Sequence, residues 1–325
     1  MKILVLLSNR QSNNNQAESV ANIISDHYFS IKLQFTWFIK FPNFIKLPLS
    51  LLIKNYKEVS EFSKDCNIVI SCGRQSARMA VDIKKSNQKN GLKTKVIQIL
   101  NPNLSYRNID AVLIPYHDKI KRSDKFINFT GSLIYKLHRD IDKNKIDMFD
   151  CIFPKPHIAL LIGGASKGRS NLVTEKNLVE ISQNLSRICK KMGGSILVTT
   201  SRRSPSNTIE ILKKNIECSA YYYIYKNDDL QNPYYEILNN SEYVVITGDS
   251  IAMISESCNL NKSVYVYSDH IKQKKHLSFL KELMRAGCIK FFNKNTKILT
   301  KNFYQDINDI DKIREDLMKL IQAGD

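Results

Sequence analysis

The sequence predicts an α/β protein built of two doubly wound domains, and three observations predict it. Short continuous apolar runs, the mark of parallel strands covered on both faces, recur through both halves and alternate with helical stripes. Glycines stand directly after several of these runs. A stretch that is polar and then proline-punctuated, Asp140 to His157, interrupts the pattern and reads as an interdomain connection. The expected domains are residues 1–150 and 151–305, with 306–325 a closing helix that packs back on the first. At 325 residues and 43% hydrophobic composition, the chain is long enough for two cores.

In the first half, Lys2 to Ser8 is an apolar strand, Asn9 to Asn15 a polar loop, and Ala17, Val20, Ala21 and Ile24 a helical stripe. Further strands are expected near Ile31 to Thr36, at Asn67 to Ser71, at Lys95 to Leu100 and at Ala111 to Pro115. A helix should follow the third of these five strands and run through Lys85. Function in such folds collects at the carboxyl ends of the strands. That marks Asn9–Gln16, Gly73–Ser76, Asn101–Pro102 and His117–Asp118. Arg74 follows a strand-terminal glycine, placed either to face a phosphate or carboxylate or to stand in solvent. His117 with Asp118 reads as a general base with an orienting carboxylate, or as an ordinary hydrogen-bonded histidine.

Residues 35–53 interleave Phe35, Trp37, Phe38, Phe41 and Phe44 with Lys40 and Lys46, and Pro42 and Pro48 break any long helix. A basic, aromatic segment of this kind suits the interface of an anionic membrane or a core-packing crossover between strands.

The second half opens on a βαβ unit. Ile158 to Ile162 is a strand, and Gly163 and Gly164 turn the chain. Leu178, Ile181, Leu185, Ile188 and Met192 then form one helical stripe, which Gly193 and Gly194 stop before the strand Ile196 to Thr200. Free N–H groups at such a helix entrance favour an anion. The loop reads as a nucleotide diphosphate seat or, on its glycines alone, as an ordinary tight turn. Strands at Tyr221 to Tyr225, Tyr243 to Thr247 and Ser263 to Tyr267 alternate with helices after Ser206, after Pro233, over Ile251 to Leu260 and from Lys274 to Gly287. Ile310, Ile313, Leu317, Leu320 and Ile321 make the closing amphipathic helix.

Two further loops carry chemistry. Ser201, Arg202 and Arg203 follow a strand with hydroxyl and guanidinium donors suited to phosphate. Gly248 ends another strand, Ser250 and Ser255 offer hydroxyls at a helix start, and Glu256 is placed to accept both hydroxyls of a ribose. The plainer role for Glu256 is a helix-face carboxylate paired with a lysine. Gly163 to Ser170 nearly fits G-x-x-x-x-G-K-[ST], but Arg169 occupies the lysine position, which argues against a P-loop NTPase.

Composition narrows the class. Seven cysteines without a C-x-x-C argue against a disulfide framework or a zinc site and for a reducing cytoplasm. No apolar run reaches the roughly 18 residues of a spanning helix, and the chain opens on a strand without a secretory signal. The net charge of +18 divides as +11 over residues 1–150 and +7 beyond. Such a balance attracts phosphates, nucleic acid or anionic lipid. The richness in Asn, Ile, Tyr and Lys is that of an AT-rich genome, and with no arginine-rich tract no nucleic-acid partner is expected.

Taken together, GGASKGRS, LVTTSRRSP, NPYYEIL and VVITGDSIAMISESC resemble the mitochondrial-fission family named for the plant elongated-mitochondria mutant, which has many bacterial members. CGRQSA, IQILNP, LIPYHD and FTGSLIYKLHRD in the first half look like that family's blocks in the same order. The first loop departs: SNRQSNNNQ keeps only Asn15 and Gln16 of the family's glycine-containing stretch. The family is similar to GT-B glycosyltransferases, so the resemblance implies two Rossmann-like domains facing across a cleft. By motif it places a donor diphosphate on Gly163, Gly164 and Ser166, and its ribose on Glu256 with Ser250. It implies a nucleotide sugar as substrate with no separate cofactor or metal, and an acceptor in the first domain. Plant members recruit the division dynamin at the outer mitochondrial surface, so the alternative to an enzyme is a membrane-associated division adaptor with a protein partner.

Overall fold

The computed structural model describes residues 1–41, 47–118, 124–135, 143–164, 173–225, 232–268, 271, 273–302, 304 and 307–323. The chain forms two compact units, Met1–His138 with Asn308–Asp325, and Arg139–Ile307.

The first unit runs β1 (Ile3–Leu7), α1 (Gln11–Ile24), β2 (Phe29–Lys32), α2 (Leu49–Leu52), α3 (Tyr56–Phe62), β3 (Ile68–Cys72), α4 (Gly73–Lys89), β4 (Lys95–Ile99), β5 (Ala111–Pro115) and β6 (Phe126–Phe129). The six strands pair in parallel in the order β2-β1-β3-β4-β5-β6. Every residue of β3 and β5 is buried, which is why their sequences are continuous rather than alternating. Several expectations are corrected here. Helix α1 starts at Gln11, so most of the expected polar loop is helical, its Asn14 and Asn15 buried. Strand β2 begins before the expected Ile31–Thr36 and ends within it at Lys32, and Phe35 makes an isolated bridge to Ile53. Strand β6 was not expected, and α4 continues to Lys89.

The second unit runs α5 (Lys143–Ile152), β7 (His157–Ile162), α6 (Glu175–Met192), β8 (Ser195–Thr200), α7 (Thr208–Asn215), β9 (Ala220–Tyr223), α8 (Tyr234–Asn240), β10 (Tyr243–Thr247), α9 (Ile251–Asn259), β11 (Ser263–Tyr267), α10 (Lys274–Arg285) and β12 (Ile289–Phe292). Its strands are also all parallel, in the order β12-β11-β10-β7-β8-β9. The stretch read as a connection carries α5, anchored by the fully buried Phe149. Thr174 caps α6 by accepting from the Asn177 N–H at 3.3 Å. Gly193 ends that helix at φ +68°, a left-handed position that favours glycine. The edge strand β12 was missed.

The last helix, α11 (Ile310–Gln322), belongs to the first unit and packs on α1, β5 and β6. Its buried Ile313, Leu317 and Ile321 are each worth about 1.5–3 kcal/mol of apolar burial. Arg314 Nε donates to the Ile23 carbonyl at 2.7 Å, and Asn308 bonds both backbone groups of Thr130. Among the described residues no helix is long and apolar enough to cross a membrane.

Candidate functional site

In the second sheet β7 starts the chain order and lies between β8 and β10, so the order reverses at the β7–β10 boundary. Crevices at such a reversal, at the carboxyl ends of the strands, are where open parallel sheets take ligands. Three of the loops singled out in the sequence meet there. The Gly163 N–H donates to Thr247 Oγ1 and the Gly164 N–H to Asp249 Oδ2, both at 2.7 Å. The Ser204 hydroxyl donates to the Gly163 carbonyl at 2.5 Å and accepts from the Ser201 N–H at 2.8 Å.

The expectation that these glycines offer bare amides to a diphosphate is corrected. Both N–H groups are engaged inside the protein. A Cβ on Gly163 would collide with the Asp249 carboxylate, and one on Gly164 with the Arg203 carbonyl. Internal packing therefore requires the two glycines whether or not a ligand is present. Gly248 likewise lies close under β11: its N–H donates to the Tyr267 carbonyl at 2.8 Å, and a Cβ there would meet that oxygen and Ile271.

Asp249 was not singled out as a ligand residue, although its Gly-Asp-Ser context after a strand was the available signal. It is 4% exposed, and its Oδ1 has no hydrogen-bond partner among the described residues. Burial pushes its carboxyl above the ordinary aspartate value, while the Gly164 N–H, the Thr247 hydroxyl and the Arg203 charge pull it back. Asp249 thus sits on the Gly164 amide as an anion would.

The remaining expected donors differ in availability. Arg202 is exposed and Arg203 half-buried. Ser201 Oγ accepts from the Arg203 N–H within its own turn, and Ser250 Oγ caps α9 by accepting from Met253 N. Ser255 is corrected: fully buried, it bonds back to the Ile251 carbonyl at 2.8 Å. Ser166 lies outside the described residues. Glu256 is 6% exposed and is held by two phenols. Its Oε2 accepts from the Tyr234 hydroxyl at 2.7 Å, and its Oε1 from Tyr235 at 3.4 Å. These phenols stand edge to face at 5.0 Å, presented by the first turn of α8. The paired tyrosines after Pro233 were the missed signal.

The first unit's expected sites resolve differently. Gln16 is buried, donates to the Ser12 carbonyl at 3.2 Å and receives the Leu133 N–H, so it serves the fold. Arg74 does not stand free in solvent: its guanidinium binds the Ile39 carbonyl at 2.9 Å and that of Phe41. His117 and Asp118 form the turn after β5, but Nε2 and Oδ1 are 3.9 Å apart, too long for the orienting hydrogen bond expected of a catalytic pair. Among the described residues no cluster of three His, Cys, Asp or Glu offers a metal site. A polar cavity of about 630 Å³ opens instead at the amino ends of β10 and β11, beside Glu242 and Lys262, away from the converged loops.

Comparison with known proteins is consistent with this layout. The sequence model of the family described as mitochondrial fission ELM1 matches residues 13–321. An uncharacterised protein of Rickettsia prowazekii is 28% identical over 349 residues, with 97% of each chain covered. The mitochondrial fission protein ELM1 of Arabidopsis thaliana is 27% identical over 268 residues, covering 74% of this chain and 61% of that one. Among solved structures, the UDP-GlcNAc 2-epimerase of Methanocaldococcus jannaschii superposes with a TM-score of 0.60 at 11% identity, covering both chains completely. That of Neisseria meningitidis, solved bound to UDP-GlcNAc, gives 0.54 at 14% identity over 99% of this chain and 92% of that one. At such identities the likeness establishes the GT-B type of fold.

Proposed function

Because the chain belongs to the mitochondrial fission ELM1 family and its second unit carries a converged site at the sheet reversal, we propose that this site binds a nucleotide sugar. The observation that carries the reading is the meeting of the Gly163–Gly164, Ser201–Ser204 and Thr247–Ser250 loops through short hydrogen bonds. The diphosphate takes the place of the Asp249 carboxylate on the Gly164 amide, with Arg202 and Arg203 as its cations. The ribose hydroxyls take the places of the Tyr234 and Tyr235 hydroxyls on Glu256. Asp249 and the tyrosines keep the site assembled while it is empty. The Neisseria relative's bound UDP-GlcNAc supports the ligand class.

The reaction proposed is glycosyl transfer at the cytoplasmic face of a membrane, to a membrane-associated or other acceptor. Preorganised donors would stabilise the leaving diphosphate. No metal or separate cofactor is invoked. Titrating UDP-, GDP- and CDP-sugars should raise the melting temperature, with about 2.7 kcal/mol of stabilisation at a hundredfold excess over Kd. Glu256→Gln should weaken the shift. No response to any of the three overturns the reading.

A second reading, a membrane-associated division adaptor with a protein partner, rests on a specific observation. Trp37 is 61% and Phe41 40% exposed, and Trp37 stacks on Phe38 at 4.2 Å. This cluster would dock on anionic lipid. Flotation with anionic liposomes should then weaken with salt and fail for a Trp37, Phe38 and Phe41 triple serine variant; equal flotation removes the segment from consideration.

A further inference from the structure

Two of the seven cysteines are neighbours although 29 positions separate them. Cys189 lies in the last turns of α6, fully buried in the core. Cys218 lies in the turn between α7 and β9, half-exposed and packed against that same core. The two side chains lie within reach of one another, each shifting the other's thiol. Three contacts hold the turn on the helix: the Glu217 N–H donates to Ser186 Oγ at 2.9 Å, Gln183 Nε2 to Asn215 Oδ1 at 3.0 Å, and Lys190 pairs with Glu217. The sulfurs are thus brought together by structure outside themselves.

We propose that Cys189 and Cys218 form a reversible redox pair, closed to an intramolecular disulfide by a small-molecule disulfide. The half-exposed Cys218 thiolate attacks one sulfur of the oxidant, forming a mixed disulfide and expelling one thiolate. Cys189 then gives up its proton and attacks Cys218 Sγ, expelling the second. The protein loses two electrons and two protons, and the oxidant leaves as two thiols. The order follows from access, since solvent reaches Cys218 and not Cys189. It also follows from charge: bonds from Cys189 and Ser186, with Lys190 nearby, bring the Cys218 thiol down to about 7, and the same pairing pushes Cys189 up. Burial pushes the thiols of Cys66, Cys72, Cys258 and Cys288 up, away from reactivity.

The test uses the full chain, reduced and then exposed to oxidised glutathione, with remaining thiols alkylated under denaturing conditions. Peptide mass spectrometry should find Cys189 and Cys218 in one linked peptide pair, restored to two alkylated thiols by reductant, together with a raised melting temperature in the oxidised form. Cys189→Ser should stop at a glutathione adduct on Cys218, and Cys218→Ser should leave Cys189 reduced. The exposed Cys151 is the internal control for non-specific oxidation. Adducts at Cys151 alone, or a glutathione adduct persisting on Cys218 of the unsubstituted chain, would overturn the proposal.

Discussion

The two sheets reverse their strand order at one place each, and the two places are filled in opposite ways. In the first unit the reversal lies between β1 and β3. Neutral amides close it: Asn14 accepts the Ser8 N–H at 2.7 Å and donates to the Ser8 carbonyl at 2.9 Å, while Asn13 donates to the Cys72 carbonyl at 3.3 Å. In the second unit the filler is a carboxylate, Asp249, which among the described residues is satisfied at one oxygen and not at the other. A neutral, bonded plug has nothing to gain from exchange. A buried carboxylate costs stability while it stays charged. The contrast separates a reversal used for folding from one that, on the proposed function, is kept ready for a ligand.

The most disruptive way to probe this is Gly164→Ala, which drives a methyl into the Arg203 backbone. It should cost about 3 kcal/mol in chemical denaturation, whereas Gly91→Ala, with open space around it but φ +80°, should cost less. Next, Asn14→Ala leaves two buried backbone groups of Ser8 unpaired. A loss of about 1–3 kcal/mol is expected, with nucleotide-sugar binding in calorimetry unchanged. If binding falls with it, the first reversal is more than a plug.

Asp249→Asn tests the other side. The folded value of Asp249 is raised, so the native state holds its proton more tightly than the unfolded chain. The associated stability is present below the ordinary aspartate value and is lost as pH rises through the raised one. The variant's melting temperature should therefore match the parent in acid and pull ahead toward neutrality. Its affinity for UDP should rise by about tenfold at neutral pH, a like charge having been removed from the phosphate seat. An advantage in stability that does not vary with pH would assign the effect to packing. The smallest change is Arg74→Ala, which frees the Ile39 and Phe41 carbonyls. It should cost about 1 kcal/mol or less and show as faster hydrogen exchange over residues 37–41.

How far the sequence could be read follows from what each residue answers to. Runs such as Ile158–Ile162 and Ala111–Pro115 are buried on both faces, so their composition alone reveals them. Strands β6 and β12 lie at sheet edges, one face or end less covered, and Asn128 and Lys290 break the apolar run. The converging loops were legible as glycine after strand. Their internal partners were not: Gly164 meets Asp249 across 85 positions and Glu256 meets Tyr234 across 22, pairings set by strand order rather than local pattern. Arg74 shows the same limit, since its position after a glycine says nothing of the carbonyls that receive it.

The first unit is discontinuous, and its closing helix α11 is encoded after the whole of the second. During translation, the N-terminal sheet must therefore wait with the surface of α1, β5 and β6 uncovered until the second unit and then α11 have been made. The lobe that starts first finishes last, and a ribosome stalled within the second unit would leave the first without its closing helix.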